Sequence, residues 1–294
     1  MVNDAVTMTV ISVLAMTPVL SLPAFGELLS QKSGVLSLGI EGIMAVGAIF
    51  ANLGILLGMG SWGSIFIGIL SGMAFGILFS FLSEKLKLDQ VVTGFGVWFL
   101  GLGVSATVFT LVLSGRELKV TPIPPVLFSL DPIFYFSIGM IFFLLFFFSK
   151  TTYGLSVRAS GEYPRAADSA GINVDKVRAL CNILGSGLMG LGGAYLAINI
   201  LQGFTYSMIA GYGWIAFALV IFGRWKPHYI FLGSLLFTAI TVSSSRLQIL
   251  GFTLIPSNYV VVLPHLAVII GLTAAMLLAK GSGMPAALGE QYKK

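Results

Sequence analysis

Few side chains in this sequence can do chemistry, and they are scattered through apolar runs. Glu41 is a carboxylate about seven residues into one such run, roughly 10 Å deep if the run is helical. A charge at that depth costs about 2.5–3.5 kcal/mol on insertion scales, so it calls for a purpose. At helical spacing Ser37, Glu41, Ala45, Ala48 and Asn52 form one stripe of small or polar residues. Such a stripe faces protein or a water-filled path rather than lipid. Two roles fit Glu41: lining a solute path, or holding a broken backbone or neighbouring helix in place. Asn182, Asn199 and Gln202 offer amide hydrogen bonds either to a sugar or base or to adjoining helices. Phe95, Trp98 and Trp214 can stack on a planar nucleobase, worth about 1–3 kcal/mol per base at an exposed platform. They can equally pack on neighbours and lipid.

Other chemistries lack their residues. Gly185-Ser-Gly187-Leu-Met-Gly190 has the glycine spacing of a dinucleotide motif, but it lies inside an apolar run that no strand precedes. It reads as helix packing, as do Gly68, Gly72 and Gly76. No Gly-Lys-Ser/Thr phosphate loop occurs. His228 and His265 stand far apart without supporting ligands, so neither a metal site nor a nucleophile triad is indicated. Cys181, the single cysteine, reads as a small apolar core residue.

The elements that must position these groups lie in a membrane. The 294 residues are 57% hydrophobic and 9% charged, with mean hydropathy +0.99. Soluble domains carry about 25% charged residues. The apolar runs reach the ~20 residues a spanning helix needs, and residues 133–149 do not alternate as a barrel strand would. Thirty-six glycines suit close helix packing. The N-terminus has neither the basic flank nor the cleavage site of a signal peptide, and reads as an uncleaved first span. We expect an all-α polytopic transmembrane bundle, a single transmembrane domain over residues 1–294. Its spans read as residues 6–29, 34–57, 62–82, 91–113, 133–149, 178–201, 212–223, 229–245 and 259–279. That is about nine, within a range of eight to ten, because the seventh is short and the second holds an acid. With the 150–177 loop in the cytoplasm, thirteen of the sixteen basic residues fall inside, and only Arg116, Lys119 and Arg246 outside. The N-terminus then lies outside and the C-terminus inside. The net charge of +5 suits anionic lipid headgroups and needs no nucleic acid.

The one substantial polar interruption runs from Arg158 to Arg178. Pro164 suits a first helical position, where its missing N–H costs nothing. A short helix over Arg165, Ala166, Ala167, Asp168 and Ala170 is then predicted, ended by a left-handed Gly171. Glu162 favours its positive end. The alanines suit insertion into a partner's groove, whereas an ordinary connector would not require them.

Here the chain resembles a family. Gly161-Glu-Tyr-Pro-Arg-Ala-Ala-Asp-Ser-Ala-Gly-Ile-Asn173 is similar to the coupling loop of membrane permeases in ATP-binding-cassette (ABC) importers. It resembles most the nucleoside and simple-sugar branch, related to the ribose and branched-chain amino acid permeases. The likeness extends through Phe25-Gly-Glu-Leu-Leu-Ser-Gln-Lys-Ser-Gly-Val-Leu-Ser-Leu-Gly-Ile-Glu-Gly-Ile-Met44, Asp89-Gln-Val-Val-Thr-Gly94 and Trp214-Ile-Ala-Phe-Ala-Leu-Val-Ile-Phe-Gly-Arg-Trp-Lys-Pro227, and covers about residues 18 to 280. Where relatives commonly carry Ala-Leu-Asn after the Thr-Gly, this chain reads Gly96-Val-Trp98. The resemblance implies a non-catalytic translocation subunit of a bacterial cytoplasmic membrane, with no cofactor of its own. ATP and Mg would be used by a cytoplasmic ATPase gripping Gly161, Glu162, Pro164, Arg165, Ala166, Ala167, Asp168 and Gly171. A second, related permease and an extracytoplasmic binding protein, docking near Arg116, Glu117, Lys119 and Arg246, would complete the transporter. Nucleosides, ribose-like sugars and riboflavin-like compounds are the implied cargo. The alternative from another class is an ion-coupled secondary transporter with Glu41 as its proton site.

Overall fold

The computed structural model describes residues 2–116, 118–205, 208–249 and 283–292, with Leu266, Ile270 and Thr273 singly. The ninth predicted span, 259–279, and Glu117 lie outside them. The described residues form ten α-helices: α1 (Val2–Lys32), α2 (Ile40–Leu56), α3 (Gly60–Ser80), α4 (Gln90–Val108), α5 (Pro132–Lys150), α6 (Thr152–Glu162), α7 (Pro164–Ser169), α8 (Val174–Tyr195), α9 (Tyr212–Phe222) and α10 (Pro227–Ile249). Three of them, α3, α4 and α8, end in a wide π turn, marked by Leu86 N→Phe81 O, Ser114 N→Phe109 O and Leu201 N→Leu196 O bonds. Among the described residues six helices are long and apolar enough to cross a membrane, and the molecule is a multi-pass membrane protein. The apolar helices α2, of 17 residues, and α9, of 11, are too short to cross alone.

α8 runs through the centre, packed on α1, α2 and α3. Its glycines allow this. Gly185 lies on the backbone of Gly26 in α1, Gly190 on Gly68 in α3, and Gly193 on Met44 in α2, each closer than any Cβ would permit. Backbones that approach so closely gain dispersion contacts, which must hold helices together where lipid is as apolar as the side chains. Buried amides add polar links. Asn182 in α8 donates to Gly76 O (3.1 Å) and to Ser80 Oγ (3.0 Å), both in α3.

At the end of the bundle remote from α7, Asp131 organises the entry to α5. Its Oδ1 caps the helix, accepting from Ile133 N (3.0 Å) and Phe134 N (3.1 Å), and Pro132 takes the first helical position. Its Oδ2 accepts from the Tyr195 hydroxyl (2.6 Å) and Asn199 Nδ2 (2.9 Å), while Asn199 Oδ1 accepts from Ile123 N (2.7 Å).

The polar interruption at 150–177 is largely helical. α6 folds back from α5, and α7 follows after Tyr163. Pro164 begins α7, and Gly171, at φ +86°, ends it in a left-handed turn. The bonds Ile172 N→Ala167 O (3.0 Å) and Gly171 N→Asp168 O (2.9 Å) complete that cap. The alanines do not share one free face. Ala166 and Ala170 are exposed, whereas Ala167 is buried against Val174 and Tyr292.

Candidate functional site

The second span does not begin where periodicity places it. Gly34, at φ +96°, turns the chain out of α1, and residues 33–39 run without helix to the start of α2 at Ile40. Ser37 therefore lies on this segment and not on a helical stripe with Glu41, which occupies the first turn of α2. The segment follows α4 inward. Gln90 Oε1 accepts from Leu36 N (2.8 Å), Gly94 meets Leu38, Gly39 meets Val97, and Gly42 meets Trp98. Eight residues separate Gln90, at the start of α4, from Trp98, so α2 begins about 12 Å along α4. Glu41 is thus deep, as its sequence position suggested, but at a helix start and not seven residues into a helix.

α9 is the second half-length helix. It begins after Gly211, at φ +92°, and its N-terminus meets that of α2: Gly213 sits directly on the Glu41 backbone. Glu41 Oε1 accepts from Gly211 N (2.9 Å), and the N–H groups of Gly213 and Trp214 also face the carboxylate. Two positive helix ends converge, and the buried Glu41 carboxylate, on the first turn of α2, meets the N–H groups at the start of α9. The structure therefore gives Glu41 a capping role. Replacing it by glutamine leaves one neutral acceptor oxygen for the three N–H groups that face the carboxylate, a loss of about 1 kcal/mol or more, since hydrogen bonds to a charged group are the stronger ones. We expect Glu41→Gln to lower the unfolding temperature and the folded yield in detergent. An unchanged unfolding temperature would refute the capping role.

Beside this junction lies a cavity of about 240 Å³ lined by Glu41, Ala45, Leu102, Ser105, Ala106, Phe204, Met208, Ile209, Ala210 and Gly211. Among the described residues that line it there is no Lys or Arg, and the N-terminus of α9 is already met by the Glu41 carboxylate.

The other candidate residues are distributed as follows. Phe95, Trp98 and Trp214 form one aromatic cluster beside the junction, with Trp98 and Trp214 edge to face at 5.2 Å and Phe95 6.0 Å from Trp98. They contact one another and are absent from the cavity lining. Asn52 is fully buried on α2 and donates to Ala48 O (2.9 Å). Asn182 and Asn199 serve the interhelical bonds described above. Gln202 is exposed, at φ +51°, just past α8.

Glu41 is not the sole acid inside a span. Glu27 in α1 is fully buried and accepts from Gln31 Nε2 (2.8 Å); Gln31 Oε1 in turn accepts from Trp225 Nε1 (2.6 Å), and the Ser37 N–H faces the Glu27 carboxylate. Each buried glutamate thus secures a break in the chain, Glu27 the approach to α2 and Glu41 the start of α9. Glu84 is buried as well, accepting from Gln90 Nε2 (3.2 Å) and Ser83 Oγ (3.2 Å). A Glu–Gln pair four apart, and an acid preceding the Asp89-Gln motif, were the available sequence signals.

Two half-length helices, α2 and α9, thus meet at their N-termini beside a small cavity inside a multi-pass bundle. Residues 9–272 match the family described as branched-chain amino acid transport system, permease component, and the chain belongs to that family. It is 33% identical to the guanosine ABC transporter permease protein NupQ of Bacillus subtilis, over 92% of this chain and 94% of that one. It is 31% identical to the nucleoside ABC transporter permease protein NupC of Lactococcus lactis subsp. cremoris, over 92% of each. A solved ABC transporter chain in an inward-facing conformation superposes with TM-score 0.52 at 17% identity, covering 90% of this chain and 85% of that chain, and shows the common fold.

Proposed function

We propose that this chain is the translocating subunit of an ATP-driven importer for neutral nucleosides or closely related sugars. The observation that carries the cargo class is the cavity beside Glu41. The N-terminus of α9 beside it is already met by the Glu41 carboxylate and its described lining residues include no cation, so an uncharged solute suits it better than a carboxylate or phosphate. The nucleoside permeases to which the chain is similar over nearly its whole length agree with this.

In this reading residues 1–294 form one permease domain of about nine spans. The 150–177 loop faces the cytoplasm, the N-terminus lies outside, and the setting is a bacterial cytoplasmic membrane. An ATPase that binds ATP and Mg²⁺ engages α7 with Glu162, Pro164, Arg165, Ala166, Asp168 and Gly171, whereas Gly161 is buried against the Lys32 backbone and stays out of that contact. Ala167 anchors α7 from within instead of meeting the partner, because Tyr292 and Val174 cover it. A second, related permease completes the path, and a binding protein delivers cargo near Arg116, Lys119 and Arg246.

The chain has no phosphate loop, so alone in liposomes it is expected to hydrolyse no ATP and move no nucleoside. Uptake should appear only with the ATPase, the sister permease and the binding protein present, and should stop without ATP. Gradient-driven uptake by the chain alone would overturn this reading in favour of an ion-coupled carrier.

A further inference from the structure

The segment 283–292 lies across the α7 end of the bundle and is bonded to several elements at once. Ala287 N donates to Gly161 O (2.9 Å) and Ala286 N to Glu162 Oε2 (3.2 Å), both at the end of α6. Gly289 N donates to Gly34 O (3.1 Å), where the chain leaves α1 for the segment that leads to Glu41. Tyr292 packs on Ala167 of α7 and Val174 of α8.

Arg178 fixes the same junction from beneath. Its side chain is fully buried, and it donates to three carbonyls on three elements: Ser33 O through Nε (3.2 Å), Ser160 O through Nη2 (3.3 Å) and Glu290 O through Nη1 (2.7 Å). A buried guanidinium left short of an acceptor is costly, so the segment cannot lift away without stranding a charged donor. α7 has only six residues and cannot hold its own position, since so short a helix is unstable by itself. Its one buried side chain, Ala167, is covered partly by Tyr292.

We propose that residues 283–292 are a strap joining α6 and α7 to the start of the 33–39 segment, so that a partner displacing α7 also moves the approach to Glu41 and α2. This rests on the reading of α7 as the ATPase docking point. The strap makes that point part of a lever, where a free loop would absorb the motion. Most of its bonds are made by backbone groups, so the device depends on the path of the segment more than on its side chains.

Two variants test it, deletion of residues 283–294 and Ala287→Pro, which removes the donor to Gly161 O while leaving Arg178 and Tyr292 in place. In the assembled transporter in proteoliposomes, both should reduce nucleoside carried per ATP hydrolysed by about tenfold, with ATP hydrolysis retained. A merely structural role would lower complex yield and leave that ratio unchanged. If the deletion fails to assemble, Ala287→Pro decides alone. An unchanged ratio overturns the strap. A second readout needs no partner: in the purified chain, trypsin cleavage after the exposed Arg158 and Arg165 should be several-fold faster in both variants. Equal cleavage rates overturn the strap even if the wild-type complex shows no ATP-driven uptake, a result that would instead refute the docking assignment.

Discussion

Gly193→Val is expected to abolish the folded bundle, and Gly47→Val to do the same, whereas Gly96→Ala and Gly103→Ala leave it intact. At Gly193 an added Cβ falls well inside 3.0 Å of the Met44 carbonyl, and at Gly47 of the Gly190 carbonyl. Backbone oxygens cannot rotate aside as a side-chain tip can, so the helices must part. Parting α2 from α8 costs more than about 3 kcal/mol and undoes contacts along the whole crossing. It also shifts Glu41 from the start of α9, so the half-helix junction opens with it. Gly96 and Gly103 are glycines of α4 in a similarly apolar sequence, but nothing lies within 4 Å of a Cβ built on either. Monodispersity and thermal unfolding of the four purified variants check this. A monodisperse Gly193→Val protein with wild-type unfolding temperature would mean that the α2–α8 crossing is not as described.

Those four glycines also mark what the sequence can and cannot say. Glycine abundance announces close packing, but which glycine meets a neighbour is a fact of pairing between distant segments. Features fixed locally were legible. Pro164 and Gly171 delimit α7 to within a residue, because each acts through its own φ and donor inventory. The depth of Glu41 was legible too, as the apolar run around it is unbroken in composition. The start of α2 was not: Gly34 reverses the chain, and residues 33–39 are held out of helix by Gln90 and by the Ser37 N–H facing Glu27. Those partners are set by the fold and leave no period to read. Arg178 stands in the sequence as one more cation of the polar interruption. Its acceptors are backbone carbonyls, one of them 112 residues away, and a carbonyl carries no mark of its sequence. For the same reason the strap leaves no signal in the sequence, whereas Asp131 ahead of Pro132 has the form of a capped helix start.

Gly171→Val should leave the chain folded and inserted yet cut ATP-driven uptake by about tenfold or more in the assembled transporter. Open space surrounds a Cβ at this position, so no clash arises, and the effect is confined to the backbone. At φ +86° a β-branched residue is far outside its allowed regions and strained by about 1–3 kcal/mol. The strain falls on the cap that ends α7, where Gly171 N bonds to Asp168 O and Ile172 N to Ala167 O. A helix of six residues has little else to preserve its shape, so the relaxed variant should lose or reorient its last turn. The bundle, held by the α8 crossings and the buried carboxylate junctions, does not depend on that turn. Wild-type unfolding temperature with lost uptake would therefore place the defect at the ATPase contact. Glu162→Lys probes the same contact less cleanly, because it also breaks the bond from Ala286 N and sets a cation near Lys32. Gly171→Asn supplies the control, since asparagine tolerates the left-handed region and should restore most of the uptake. Full uptake by Gly171→Val at normal expression would sink the assignment of α7 as the docking helix.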